Sequence, residues 1–185
     1  MPLVSSHTVQ VHVAAINPDT NSVRFLLLQR SKKSKQYPNM WQVITGKLKP
    51  GETALETALR ETYEEISVYP KMLWTIPFVS VFFETKRDLM HLSPVFGVVI
   101  DYNTKIKLSE EHQDYQWLRY EDAIHVLTLP THKEGTKRFY DYVLSRENKN
   151  LFRLNLDKKV KAVIIKKVKA ESIKPKIKKK TKIIK

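Results

Sequence analysis

Gly46-Lys47-Leu48-Lys49-Pro50-Gly51-Glu52-Thr53-Ala54-Leu55-Glu56-Thr57-Ala58-Leu59-Arg60-Glu61-Thr62-Tyr63-Glu64-Glu65-Ile66-Ser67-Val68 reads as a glycine-opened loop running into a helix. Pro50-Gly51 marks the loop. Thr53-Ala54-Leu55-Glu56 has the spacing of a capping box, with Thr53 as N-cap and Glu56 reaching back to its amide. Beyond it, Leu55, Ala58, Leu59, Thr62 and Ile66 fall in a mostly apolar stripe about 100° wide, the width of a core-facing helix. On the polar side, Glu61, Glu64 and Glu65 share an arc of about 100° within little more than one turn. Like charges at these spacings destabilise a helix by roughly 0.2–0.5 kcal/mol per pair, and nothing local offsets the cost. A hard cation would: Mg²⁺ takes oxygen ligands, usually one or two carboxylates, while phosphate and water fill its other positions. The plain alternative is a solvated acidic face.

Around this segment the periodicity is that of strands. Val9, Val11 and Val13 alternate within His7 to Ala15, Asn17-Pro18-Asp19 supplies a turn, and Val23 to Gln29 returns. Arg30 to Asn39 is a polar, basic loop leading to the apolar stretch Met40 to Ile44. Downstream, strands are expected at Trp74–Glu84, Ser93–Asp101 and Asp114–Arg119, and helices at Tyr120–Leu127 and Lys133–Ser145, separated by Pro130. Strands on both sides of one amphipathic helix, with helices at the end, imply an α/β fold in which a mixed sheet is covered on both faces.

The spacing Gly46, five residues, Glu52, seven residues, Arg60-Glu61-Thr62-Tyr63-Glu64-Glu65-Ile66-Ser67-Val68 resembles the Nudix box, G-x5-E-x7-R-E-U-x-E-E-x-G-U with U aliphatic. Two positions depart from it. Thr62 stands where the pattern has an aliphatic residue, and its hydroxyl can bond a carbonyl one turn back. Ser67 replaces the glycine at the helix end, where positive φ is easy only for glycine. The resemblance implies an α/β/α sandwich that binds Mg²⁺ or Mn²⁺ and hydrolyses phosphoanhydrides. By the same resemblance Glu61 and Glu65 are the principal metal ligands, and Glu64 is a further ligand or orienting group. Glu52 and Arg60 are the ion pair that fixes loop to helix, and the Gly46 carbonyl is a further metal contact.

Leu28-Gln29-Arg30, Trp41-Gln42, Thr45-Gly46 and Glu111-His112 followed by Trp117-Leu118 are similar to dihydroneopterin triphosphate pyrophosphatases. That similarity implies Glu111 as a third metal ligand or the general base, Arg30 as a phosphate contact and Thr45 as a substrate contact. Trp41 is a candidate for stacking on a base or pterin ring, with core packing as its other reading. His91 and His112 have no partner at metal-ligand spacing and receive no role. The expected activity is release of pyrophosphate from dihydroneopterin triphosphate or a nucleoside triphosphate. Hydrolysis of RNA 5′ ends or dinucleoside polyphosphates, with the basic C-terminal tail holding the substrate, is the alternative, and a non-catalytic binding module tethered to nucleic acid is a further one.

The chain has 185 residues, no cysteine and a formal charge of +14. Disulfides, thiolate zinc and a cysteine nucleophile are thereby excluded. The charge is unevenly placed: residues 151–185 carry 13 lysines and Arg153 against Asp157 and Glu171, giving +12 and leaving +2 for residues 1–150. A near-neutral domain over 1–150 is thus expected, followed by a lysine-rich, partly flexible tail over 151–185 in which Leu151–Leu156 can pair as an edge strand. The tail suits non-specific contact with nucleic-acid phosphates. With no apolar run of membrane-spanning length and no leader pattern, the expected location is the cytoplasm.

Overall fold

The computed structural model describes residues 1–145 and 147–156, together with Ala162, Ile165 and Val168. Strand β2 (Thr8–Ile16) organises the sheet because both its sides are paired. After the short β1 (Leu3–Ser5), β2 runs parallel to β7 (Leu89–Ile100) along one side. Along the other side it pairs antiparallel with β5 (Ile44–Lys47) at its start and with β3 (Val23–Arg30) at its end. On the far side of β3 lie β4 (Trp41–Gln42) and β8 (His112–Leu118); beyond β7 come β6 (Met72–Glu84) and β9 (Arg153–Leu154). The short β9 lies within Leu151–Leu156, where an edge strand is expected from the alternation. β1 has no such signal and pairs with the start of β7.

Helix α1 (Ala54–Ile66) covers one face of the sheet. Its stripe residues Ala58, Leu59 and Ile66 join Val9, Val11, Val13, Ile44, Phe96 and Val98 in one buried cluster. Helices α2 (Tyr120–Val126) and α3 (Pro130–Arg138), the latter extended by a π-helical turn over Phe139–Val143, cover the other. There Phe25, Leu27, Trp74, Val99, Leu127 and Phe139 form the second cluster. The result is a helix, sheet, helix sandwich. Pro130 is the first residue of α3 rather than a spacer before it, since its fixed φ and missing N–H suit that position. Because both faces are covered, the polar residues that alternate with the valines of β2 are buried too: Gln10 and His12 lie under α3, where His12 Nδ1 meets Thr136 Oγ1 at 2.9 Å.

The capping box at Thr53 forms as the sequence predicts, with side chain and backbone bonds in both directions. At the other end Ser67 takes φ 58° and ψ 25°, and its N–H donates to Tyr63 O, so the left-handed turn is kept without glycine. Thr62 Oγ1 donates to Ala58 O at 2.7 Å, the back-bond expected of a hydroxyl on the buried side.

Most of residues 151–185, and with them the expectation of a flexible tail, lie outside the described residues. Val168 is described, is 8% exposed and belongs to the cluster under α1. Among the described residues no helix is long and apolar enough to cross a membrane.

Candidate active site

At the N-terminal end of β2, β5 delivers Gly46 to the face covered by α1, and the loop from Leu48 to Thr53 carries the chain back into the helix. Arg60 ties these pieces together. Its Nε donates to Glu52 Oε1 at 2.8 Å, NH2 donates to Glu52 Oε2 and to Lys47 O at 2.9 Å, and NH1 donates to Glu61 Oε1 at 2.7 Å and Glu64 Oε2 at 2.8 Å. The Arg60 and Glu52 side chains are 3% and 5% exposed. Burial alone would raise the Glu52 carboxyl, but hydrogen bonds from Arg60, the Lys49 amide and Thr57 outweigh it and hold the group below the usual carboxylate range. Arg60 is correspondingly held charged. The implied ion pair between loop and helix is therefore present, and it is buried.

Glu65 is 4% exposed and its Oε2 has no hydrogen-bond partner among the described residues. Burial raises its carboxyl well above the ordinary range, and the charges of Glu61 and Glu111 raise it further, against a smaller opposing effect of Arg30. Burial also raises Glu61, partly countered by Arg60. His112 Nε2 lies 3.8 Å from Glu65 Oε2, but burial pushes His112 down to about 4, so the contact is not an ion pair. A buried acid oxygen without a donor, with two more acids near it, is costly unless positive charge arrives from elsewhere. An all-oxygen donor set of this kind suits a hard divalent cation.

Among the described residues no three acid or histidine side chains are arranged as a finished cage, and NH1 of Arg60 holds both the Glu61 and the Glu64 carboxylate. Glu64 also faces Lys49 Nζ at 3.4 Å. Gly46 allows the close approach: a Cβ there would collide with the Glu61 side chain from Cγ outward. The fourth acid, Glu111, is exposed just before β8.

Glu52, Arg60, Glu61, Glu64, Glu65, Glu111 and Gly46 are thus brought together. Arg30 reaches the same corner, yet its guanidinium is engaged by the loop that follows it: Nε donates to Gln36 O at 3.1 Å and NH2 to Ser34 Oγ at 2.9 Å. Thr45 and Trp41 are not brought to the acids. Val43 and Trp41 pack with the cluster on the opposite face, and Thr45 pairs with Gln10, whose side chain points to α3. Two residues without a role in the sequence reading do converge here, Gln42 and His112, 3.1 Å apart side by side beneath Arg30. Their signal is the register Leu28 with Gln42 and Arg30 with His112, which no single strand reveals. His91 lies elsewhere, stacked on Phe82 and bonded to Glu84.

A family model described as the NUDIX domain matches residues 6–143. The mouse bis(5'-nucleosyl)-tetraphosphatase [asymmetrical] is 32% identical over 135 residues, spanning 69% of this chain and 85% of that protein. Among solved structures, an Ap4A hydrolase binary complex from C. elegans superposes with a TM-score of 0.61 at 22% identity, covering 75% of this chain and 98% of that one. The E. coli dihydroneopterin triphosphate pyrophosphohydrolase does so with a TM-score of 0.58 at 23% identity, covering 73% and 97%.

Proposed function

The chain belongs to the Nudix family, hydrolases of phosphoanhydride bonds, and from that premise we propose that it is a divalent-cation-dependent pyrophosphohydrolase of dinucleoside polyphosphates. The observation that carries the catalytic reading is Glu65 Oε2, buried and without a donor among the described residues, beside Glu61 and Glu111. Glu61 and Glu65, with Glu64 and the Gly46 carbonyl, are the groups that would hold Mg²⁺ or Mn²⁺. When bound, such an ion supplies neutralisation of phosphate charge and a water of lowered pKa. Arg60 and Glu52 keep the acid-bearing face of α1 in register with the loop. Glu111, the most exposed of the four acids, takes the proton from the water as its oxygen bonds to phosphorus and the anhydride bond breaks. Identity to the mouse tetraphosphatase over most of that protein's length supports the substrate class.

A small triphosphate is the second reading, favoured by the similarity of Leu28-Gln29-Arg30 and Glu111-His112 to dihydroneopterin triphosphate pyrophosphatases. A panel of dinucleoside polyphosphates, nucleoside triphosphates, dihydroneopterin triphosphate and triphosphorylated RNA, assayed with Mg²⁺ or Mn²⁺ in ¹⁸O-water, separates them. Product masses identify both the compound and the phosphorus attacked. A kcat/KM for every dinucleoside polyphosphate below that for the triphosphates would reverse the order.

A further inference from the structure

The loop of residues 31–39, between β3 and β4, is fastened to the strand that follows Glu111. Ser31 N–H donates to Glu111 O at 2.8 Å and Lys32 N–H to Gln113 Oε1 at 2.8 Å. Gln113 Nε2 in turn donates to Asn39 Oδ1 at 3.0 Å and Gln29 Oε1 at 2.8 Å. From beneath, Arg30 grips the loop through Gln36 O and Ser34 Oγ, and Ser34 Oγ also donates to Gln36 O. Tyr37 and Asn39 hold φ at 50° and 62° on either side of Pro38, conformations that cost a non-glycine residue about 1 kcal/mol or more. This shape is imposed by contacts, not left to chance.

What the loop presents outward is charge of one sign. Lys32, Lys33 and Lys35 are exposed, no acid occurs between Ser31 and Asn39, and none of the three has an ion-pair partner among the described residues. Lysine is a point charge on a flexible stem, suited to a row of phosphates at variable distance, whereas one fixed phosphate favours the planar fork of arginine. Arg30 already spends much of its fork on the loop.

We propose that this loop is a phosphate-chain clamp, in which Lys32, Lys33 and Lys35 bind the phosphates of a dinucleoside polyphosphate beyond those held at the acidic cluster. Arg30 is the positioning residue that presents it. This assignment rests on the substrate class proposed above and adds a chain-length preference to it.

The test compares the intact chain with a Lys32→Ala, Lys33→Ala, Lys35→Ala variant on dinucleoside tri-, tetra- and pentaphosphates. A Lys71→Ala, Lys86→Ala, Lys137→Ala variant removes equal charge from exposed lysines elsewhere. Calorimetric binding of methylene-bridged analogues of the same three lengths runs in parallel. The clamp predicts kcat/KM and affinity rising with phosphate number in the intact chain. The loop variant should flatten that rise, losing about tenfold or more on the pentaphosphate, mainly in KM and less at high salt. A loss equal at every length, or no greater than in the control variant, overturns the clamp and leaves the proposed function standing. Length-dependent binding without turnover of any dinucleotide overturns that function and leaves the clamp. Neither binding nor turnover overturns both.

Discussion

Arg60 and Glu52, eight residues apart, form a buried bidentate pair, with 2.8 Å from Nε to one carboxylate oxygen and 2.9 Å from NH2 to the other. Since the same guanidinium also holds Lys47 O, Glu61 and Glu64, the end of a strand, a loop and a helix face share one anchor. Arg60→Gln leaves Glu52 buried without its counter-charge, and a loss of about 3 kcal/mol in urea unfolding is expected. A loss under about 1 kcal/mol would mean that solvent, not the pair, carries Glu52.

Glu65→Gln is expected to separate activity from stability. The amide replaces a buried acid whose Oε2 has no donor among the described residues, so the metal-free variant gains about 1 kcal/mol of stability. Turnover falls by at least 100-fold, and the variant no longer gains thermal stability from millimolar Mg²⁺, since binding to the native state is what raises it. Retention of more than a tenth of kcat would remove Glu65 from the ligand set.

At Gly46 the expected damage is to the site more than to the fold. Gly46→Ala drives the added methyl into the Glu61 side chain from Cγ outward, so that the whole side chain must rotate away and abandon its place beside Arg60. Midpoints in Mg²⁺ titrations of activity should rise about tenfold or more while unfolding free energy changes by less than about 1.5 kcal/mol. The opposite pattern would assign the glycine to folding.

Ser67 offers a gain. Its left-handed backbone closes α1 with a residue that is strained there, so Ser67→Gly should stabilise the protein by about 0.5–1 kcal/mol in denaturant unfolding with no change in kcat. A destabilised Gly variant would mean that entropy lost from the unfolded chain outweighs relief of strain.

His12 and His132 make stability depend on pH. Burial lowers both, His12 well below 6.5 and His132 to about 4, so both are neutral when folded. The unfolded chain titrates near 6.5 and binds more protons between there and about 4, so their contribution is complete above pH 6.5 and is lost as pH falls through that window. Replacing His132, whose Nδ1 is buried without a partner among the described residues, by leucine removes one of the two losses. At pH 5, His132→Leu should exceed the parent by about 2 kcal/mol relative to their difference at pH 7.5. Parallel stability curves for the two proteins would refute the assignment.

Features that depend on short spacings were legible in the sequence: the Thr53 cap, the buried stripe of α1 and the acids on its polar side; the loss of glycine at Ser67, by contrast, pointed away from the left-handed turn that the helix end keeps. What escaped depends on register between distant strands. Gln42 and His112 meet under Arg30 only because β4 and β8 both pair with β3. Thr45 stands next to Gly46, but adjacent strand residues face opposite ways, and that parity carries it to α3 instead of the acids. Likewise the alternation of Val9, Val11 and Val13 assigned nothing to Gln10 and His12 between them, and these are buried because α3 covers the second face of the sheet. Arg30 kept its expected neighbourhood, while its partners were set by the fold of a loop whose polar composition specified no single shape.

Val168, far along a stretch in which lysine outnumbers every other residue, sits in the same apolar cluster as Leu73, Phe96 and Ile100. Composition is thus a poor guide to where this protein can be trimmed. Shortening the chain behind Leu156 in the hope of a better-behaved sample would strip a stave from the wall of its interior and leave wet apolar surface in its place.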